Sequence, residues 1–243
     1  RALRAALVEC NPGMDGRRLE RLVRRATQIP LADYKRFHLG LWVEADKESW
    51  LADYPGAWER CESRVAIPDE AEITVGVDVG LNRDSMSVAW CWRHDALRVV
   101  RARIWTPESD RGVDIRQAKV FIGELKARFK ILRVAFDPRQ FAESAVDLED
   151  EGVPMLEIPQ TIERLAPADA HLFDLILDQT VAHNGHATLA QHINAAVRRP
   201  TERGWYLSKS RSKRHMDGAR AVSLAVAALD LWPPAGTSYD GPL

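Results

Sequence analysis

The sequence has 243 residues, of which 46% are apolar, and its formal net charge is −1. This composition excludes a disordered chain and is ample for a folded core. A charge so close to zero gives no general attraction to nucleic acid, so any such role must rest on local basic clusters. The three cysteines form no CxxC pair, which argues against a zinc knuckle or a disulfide framework and favours the reducing cytoplasm. No signal peptide and no apolar run near the roughly 20 residues of a membrane span is visible, so we expect no membrane partner.

Residues 1–69 are predicted to be helical and to contain no strand. Apolar residues at helical spacing, such as Leu19, Leu22 and Val23, are interspersed with arginines. A second helix is predicted over 31–40, before a Trp-rich stretch, and residues 64–72 have the proline and acids of a connector. The chain opens without a Met in what reads as the interior of a helix, which indicates a piece of a longer protein. We therefore expect a small helical linker subdomain over 1–69 and a separate domain over 70–243.

From residue 70 the pattern changes to strands. Residues 73–80, 86–92 and 97–105 are rich in β-branched and apolar residues and follow one another closely, which predicts a three-stranded antiparallel meander. Further strands are predicted at 131–137 and 153–159, and helices at 115–129, 142–152, 171–180 and 188–197. A hairpin over 197–210 and an apolar, buried helix over 216–232 complete the chain. The predicted fold class is α/β, with a mixed central sheet flanked by helices.

Three acidic residues fall where the catalytic groups of such a sheet are expected. Asp78 ends the first strand, Asp137 ends the fourth, and Asp217 lies in the first turn of the last helix. Because functional groups gather at strand ends in layered α/β sheets, the three should converge at one edge. Each acid also has a purely structural alternative. Asp78 could be a turn residue, Asp137 could be a helix N-cap before Pro138, and Asp217 could complement a helix dipole. Their joint arrangement favours catalysis.

The chemistry that suits these acids is metal-dependent cleavage of a phosphodiester. Such cleavage needs carboxylates around two ions roughly 3.5–4 Å apart, and Mg²⁺ prefers oxygen ligands. Asp78, Asp137 and Asp217 are therefore the predicted catalytic residues and the predicted ligands of two Mg²⁺ or Mn²⁺ ions. Asp84, six residues after Asp78 in a turn, is a further candidate ligand, with a solvated turn residue as the equal alternative.

Several motifs resemble those of large terminase subunits of tailed bacteriophages. VGVDVGLNRDSMSVAW, VAFDPRQF, HNGHATLAQHINAAV and SKSRSKRHMDGARAVSLAVAAL follow one another in the family's order. The preceding NPGMDGRRLERLV and WLADYPGAWERC resemble the segment that joins the motor ATPase to the nuclease in those proteins. The resemblance implies an RNase H-like endonuclease domain that cuts double-stranded viral DNA during genome packaging. The family's acids carry over onto Asp78, Asp137 and Asp217, and a fourth acid of some members matches Asp84.

The resemblance also implies partners and a location. The terminase ATPase domain, the small terminase subunit and the portal protein would be partners of this chain in the cytoplasm of the infected host cell. The sequence contains no GxxxxGK[ST] motif, so this chain should lack the phosphate-binding loop of the motor. His215 and Met216 stand where the family pattern has a basic and then an aliphatic residue, which leaves the role of His215 open.

Basic residues cluster directly before Asp217, where a hairpin could lay a DNA backbone across the metals without reading its sequence. A solvated hairpin is the bland alternative. The predicted DNA-binding residues are Lys209, Arg211, Lys213, Arg214 and His215. The histidines at positions 183, 186 and 192 lack a Cys partner or a helical HExxH context, so we predict loop and helix-start residues rather than metal ligands.

Other functions are weighed against this one. An actin-like or sugar-kinase ATPase would need a second DxG loop and a Gly-rich adenosine motif, and the sequence offers neither. A resolvase or transposase of the same fold stays open as an alternative nuclease. A non-catalytic module that binds DNA or a capsid protein stays open as well, and metal-dependent nicking of a plasmid would separate it from an enzyme.

Overall fold

A computed structural model describes residues 2–11, 13–25, 38–39, 49–80, 85–107, 112–202, 204–209 and 215–232. The chain forms two compact units, Arg1–Pro55 and Gly56–Leu243. In the first unit, helices α1 (Ala2–Cys10) and α2 (Gly16–Arg25) bury Leu7 and Leu19, with Leu22, Val23 and Leu39 packed against them. The helical prediction is thus confirmed for this part, whereas the helix predicted over 31–40 lies almost wholly outside the described residues. The predicted assignment of residues 1–69 to a linker stays a prediction.

The second unit is built on a six-stranded sheet, which is mixed, as the sequence predicted. Its strands have the order β5-β4-β1-β2-β3-β6. The first three form the predicted antiparallel meander, while β4 runs parallel to β1, β5 parallel to β4, and β6 parallel to β3. The strands are β1 (Glu72–Val79), β2 (Met86–His94), β3 (Leu97–Trp105), β4 (Lys130–Phe136), β5 (Met155–Glu157) and β6 (Val181–Ala182).

Within the part of this unit that the structure describes, five α-helices and a separate hairpin accompany the sheet. The helices are α3 (Arg116–Arg128), α4 (Pro138–Asp150), α5 (Ile162–Leu177), α6 (Ala187–Ala195) and α7 (Asp217–Asp230). Strands β7 (Val197–Thr201) and β8 (Gly204–Ser208) form the predicted hairpin, which is a two-stranded sheet of its own. Among the helices that the structure describes, none combines the length and apolar character that a bilayer crossing requires.

Strand β1 lies in the middle of the sheet and is buried on both faces. Its odd-numbered residues, Ile73, Val75 and Val77, belong to the main core cluster together with side chains of α3 and α4. Successive side chains of a strand point to opposite faces, so the even-numbered residues face the other layer. That layer is α7, whose residues are nearly all buried. The result is a sheet that lies between two helical layers, with α7 packed directly against β1.

The structure differs from the predicted elements in a few places. Strand β6 has two residues and was not predicted, because a two-residue strand carries no alternating pattern. Helix α5 begins at Ile162 instead of residue 171, and it contains Pro167, a residue type that usually ends or kinks a helix. Leu165 and Ala168 are buried on either side of Pro167, and their packing outweighs the backbone hydrogen bond that the proline removes. Helix α4 begins at Pro138, four residues before the predicted start.

Candidate active site

The contact between β1 and α7 brings the first pair of predicted acids together. The Thr74 hydroxyl donates to the Ala225 carbonyl at 2.7 Å. Two residues along the strand, Gly76 lies so close to α7 that a Cβ would stand 2.1 Å from the Ala221 carbonyl oxygen. Asp78 is the next residue on this face of β1. Glycine is therefore required here by the close approach of a helix backbone, not by an unusual backbone angle.

The two elements stay in register because their repeats match. Two residues of a strand advance about 6.6 Å and four residues of a helix about 6 Å. Asp217 precedes Ala221 by four residues, so Asp78 and Asp217 occupy the step that follows the Gly76 contact. Both side chains are buried, with 8% of Asp78 and 2% of Asp217 exposed.

The third predicted acid arrives from the neighbouring strand. Strands β1 and β4 are parallel, and Val77 pairs with Phe136, so Asp78 and Asp137 follow at the same edge of the sheet. Asp137 is also the N-cap of α4, where its Oδ1 accepts from the Arg139 backbone N–H at 3.1 Å. The N-cap alternative is thus confirmed, and it leaves the second carboxylate oxygen of Asp137 for other contacts.

The three acids line one cavity of about 400 Å³. The pKa of Asp78 is raised to about 7, first by burial and then by the negative charges of Asp217 and Asp137, while Arg220 and Lys209 act in the opposite direction. The fold thus brings together carboxylates that are distant along the chain. The cavity is lined by Asp78, Val79, Gly80, Asp137, Arg139, Gln140, Gln160, Ile162, Leu165, Arg199, Tyr206, Leu207, Ser208, Lys209, Met216, Asp217 and Arg220.

The donor chemistry of this cavity fits a hard divalent cation. Carboxylate oxygens are the ligands that Mg²⁺ prefers, and mutual repulsion among buried carboxylates is relieved by a cation. Within the described ranges, however, no three His, Cys, Asp or Glu side chains stand at a spacing that already holds a metal ion. The fit is therefore one of ligand type and charge, and not of preformed coordination.

Asp217 has partners on both oxygens. The Ser85 hydroxyl donates to Oδ2, and the Lys209 ammonium lies 3.3 Å from Oδ1. The His215 Nδ1 is 4.0 Å from Oδ2. Ser85 was not singled out in the sequence, because a lone serine at the start of a strand carries no signal of its own.

Of the predicted DNA-binding residues, Lys209 lines the cavity with the acids. His215 lines a second cavity of about 530 Å³, formed with residues of α6. The other predicted DNA-binding residues and one candidate metal ligand lie outside the described residues, namely Arg211, Lys213, Arg214 and Asp84.

Of the three histidines predicted to lie in a loop and a helix start, His186 is at the helix start, whereas His183 is buried next to β6 and His192 is buried within α6. His186 is the N-cap of α6 and accepts from the Leu189 N–H at 3.2 Å. His192 accepts from the Gly218 N–H at 3.0 Å, and burial lowers the pKa of His192 to about 4, which keeps that nitrogen free to accept. His183 is buried and stacks on Trp58, with ring centroids 4.1 Å apart.

Two buried residues next to the site were not assigned a role from the sequence. Arg220 lies one turn after Asp217, lines the acidic cavity and is only 4% exposed. Its guanidinium is paired with Asp169, which is fully buried in α5. One signal was available: a single arginine inside an otherwise apolar helix requires a buried partner. The partner itself is 51 residues away, and no local pattern identifies it.

Comparison with known proteins finds this fold in large terminases of bacteriophages. No family model matches the sequence. The Gene 13 protein of Mycobacterium phage L5 is 25% identical over 230 aligned residues, and the match covers 84% of this chain. The chain spans 37% of the length of that relative.

Solved structures with the same fold are large terminases. The HK97 bacteriophage large terminase has a TM-score of 0.62 at 20% identity, and the match covers 93% of this chain and 54% of that chain. The large terminase nuclease from thermophilic phage G20c has a TM-score of 0.56 at 14% identity, with 70% of this chain and 95% of that chain covered. The G20c nuclease has also been solved with bound magnesium and with bound cobalt. The chain therefore has the RNase H-like fold of the nuclease part of phage large terminases, as the sequence motifs predicted.

Proposed function

We propose that this chain is the nuclease part of a phage large terminase subunit, a metal-dependent endonuclease that cleaves double-stranded viral DNA during genome packaging. The observation that carries the proposal is the convergence of Asp78, Asp137 and Asp217 on one cavity, in a chain with the fold of terminase nucleases. The proposed ligands of two Mg²⁺ or Mn²⁺ ions are these three acids and Asp84. When bound, such ions stabilise the attacking and leaving oxygens of a phosphodiester and lower the pKa of water.

The chain's own residues prepare the cavity for this chemistry. Asp78 and Asp217 are buried, so their charges are poorly screened by water and attract a divalent cation strongly. The Ser85 hydroxyl and the His192 ring fix the two sides of the turn that begins α7, and they thereby orient the Asp217 carboxylate. No side-chain nucleophile is required.

The substrate side of the cavity is basic and polar. Lys209, Arg199 and Arg139 line it together with Gln140 and Tyr206. Such groups contact phosphates and position a duplex without reading its sequence. We propose that Lys209, Arg211, Lys213, Arg214 and His215 bind the DNA backbone. The full-length protein would act with the terminase ATPase domain, the small subunit and the portal protein in the cytoplasm of the infected host cell.

A plasmid nicking assay tests the enzyme proposal. Purified chain with Mn²⁺ or Mg²⁺ should convert supercoiled plasmid to open circles, and EDTA should stop the reaction. Asp78→Ala and Asp137→Ala should abolish nicking, whereas Asp147→Ala should not, because Asp147 is an exposed acid paired with Lys119 on α3. Equal nicking by all variants would assign the activity to a contaminant. DNA binding with no nicking in any condition would favour the non-catalytic module.

A further inference from the structure

A buried ion pair joins three elements beside the acidic cavity. The Arg220 Nη1 donates to both oxygens of Asp169, at 2.6 and 2.8 Å, and its Nη2 donates to the Leu207 carbonyl at 2.7 Å. The Ser223 hydroxyl donates to Asp169 Oδ1 at 2.6 Å. Asp169 belongs to α5, Leu207 to β8, and Arg220 and Ser223 to α7.

The pair holds the β7–β8 hairpin by its main chain. The Leu207 N–H donates to Asp169 Oδ2 at 2.7 Å, while its carbonyl accepts from Arg220. Both backbone groups of Leu207, which lies opposite Arg198 on β7, are thus bonded to the ion pair. A free hairpin edge is attached in this way to two helices of the unit.

This attachment matters because the hairpin is not part of the central sheet. Its two strands pair only with each other among the strands described. The next residues after Leu207 lead directly to Lys209, whose ammonium lies 3.3 Å from Asp217. The position of the basic wall of the cavity therefore depends on how β8 is anchored. A further anchor is the packing of Arg198 on Phe173, with the guanidinium 4.0 Å from the ring centroid.

We propose that the Asp169–Arg220 pair is a positioning clamp, which fixes the β7–β8 hairpin and Lys209 over the acidic cavity so that a DNA phosphate is held at the acids. Its effect on cleavage rests on the nuclease function proposed above. Buried ion pairs contribute little net stability, because desolvation of the two charges offsets their attraction, and apolar replacements are often neutral. A clamp that fixes geometry accounts for the pair, since it bonds both main-chain groups of one hairpin residue.

The test separates geometry from stability and from charge. The double variant Asp169→Leu/Arg220→Met removes both buried charges at once and fills the space with apolar side chains. Arg220→Lys keeps the positive charge near Asp78, but an ammonium lacks the planar fork that reaches two acceptors. Asp230→Asn is the matched control, because Asp230 is also buried and arginine-bound, at the opposite end of α7.

Two readouts are measured for each variant, namely backbone amide exchange of residues 197–208 and the single-turnover cleavage rate at saturating Mn²⁺. In the double variant and in Arg220→Lys, hairpin exchange should rise about tenfold while exchange of β1 is unchanged. The cleavage rate should fall roughly tenfold in both variants, and the apparent affinity for DNA should fall as well. In Asp230→Asn, hairpin exchange should stay at the wild-type value.

Unchanged hairpin exchange in both clamp variants would overturn the proposal, as would wild-type cleavage by the double variant. If only the double variant loses activity and Arg220→Lys behaves as wild type, charge rather than positioning explains the pair, and the clamp is refuted. The exchange measurement does not depend on cleavage. A wild-type chain that fails to cleave would therefore remove the proposed function, while hairpin exchange would still decide whether the pair anchors β8.

Discussion

The two ends of α7 carry buried carboxylates in opposite surroundings. Asp230 is bonded to Arg93 at 2.6 Å, Arg98 at 2.8 Å and His171 at 2.8 Å. Burial acts to raise the pKa of Asp230, but the hydrogen bonds from His171 and Arg98 outweigh it and the pKa lies below its ordinary value. Asp217 instead shares its cavity with two further acids, and the pKa of Asp78 is raised by burial and by Asp217.

This difference shows what distinguishes a candidate cation site from a structural acid. Burial is common to both ends, so burial alone does not identify function. At Asp230 positive groups outnumber the single acid. At Asp217 three acids gather in one cavity, and one of the cavity's basic residues, Arg220, is already paired with Asp169. Several carboxylates brought together, two of them buried, are the feature that invites a metal ion.

The largest expected effect is a loss of nicking activity without a loss of stability, and it concerns the acids beside the Asp217 end of α7. Asp78→Asn removes a proposed ligand but keeps the shape of the side chain. Metal-dependent nicking should fall at least roughly a thousandfold. The melting temperature without metal should stay the same or rise, because repulsion from Asp217 is removed. Nicking rates check the predicted loss of activity, and thermal unfolding checks the predicted melting temperature. A marked fall in melting temperature would mean that Asp78 is a structural acid.

A second substitution should disturb both ends of α7 together. Gly76→Ala would place a Cβ 2.1 Å from the Ala221 carbonyl and 2.5 Å from the Ala225 nitrogen. Backbone cannot move aside cheaply, so we expect a loss of roughly 3 kcal/mol or more, measured by urea unfolding. Gly123→Ala in α3 is the control, because its Cβ would meet nothing within 4 Å and alanine should stabilise the helix. A stable Gly76→Ala protein would contradict the tight packing of β1 on α7.

At the other end, Asp230→Asn should have the reverse profile of Asp78→Asn. It leaves Arg98, whose side chain is 12% exposed, without its charged partner. The expected cost in the free energy of unfolding is about 2 kcal/mol. Nicking measured well below the melting temperature should be nearly unchanged. If Asp230→Asn lost as much nicking activity as Asp78→Asn, the two ends of α7 would not differ in function.

The raised pKa of Asp78 predicts that the proposed metal site at the Asp217 end of α7 depends on pH. In the folded chain this pKa is about 7, against an ordinary value of 3.8. The stabilising contribution of the bound proton is therefore complete below about pH 4 and is lost as pH rises through about 7. A cation must displace that proton, so its affinity should be roughly thirtyfold weaker at pH 5.5 than at pH 8.

Calorimetric titration with Mn²⁺ at the two pH values measures this difference. Asp230→Asn should keep the pH dependence, and Asp78→Asn should lose it. A wild-type affinity that is flat from pH 5.5 to 8 would contradict the proposed role of Asp78 as a ligand.

The smallest effect concerns the basic residues that precede Asp217. Neutralising Lys209, Arg211 and Lys213 together should weaken DNA binding and flatten its salt dependence by up to about three units of slope, if each contacts one phosphate. Binding is measured at several salt concentrations in an Asp78→Asn background, so that no DNA is cut. An unchanged slope would show that these side chains belong to a solvated surface.

Much of this architecture could be predicted, because it is recorded in local patterns. The meander from β1 to β3 follows from β-branched runs, and α7 from an apolar stretch that begins at an acid. The three acids were found from their places at element ends. The features that were missed depend on distant contacts. Asp169 lies just before the helix predicted over 171–180, and nothing marks it until the fold brings it to Arg220. The location of Ser85 beside Asp217 depends on the pairing of β2 with β1.

The contact at Gly76 has a consequence for how the sequence of this fold can diverge. Since strand and helix touch there main chain to main chain, the separation of Asp78 from Asp217 is set by atoms that every amino acid possesses. Interior side chains elsewhere can then be exchanged over long lineages without moving the two carboxylates apart. Such a main-chain contact is compatible with the low sequence identity, 14–20%, to structures that share this fold.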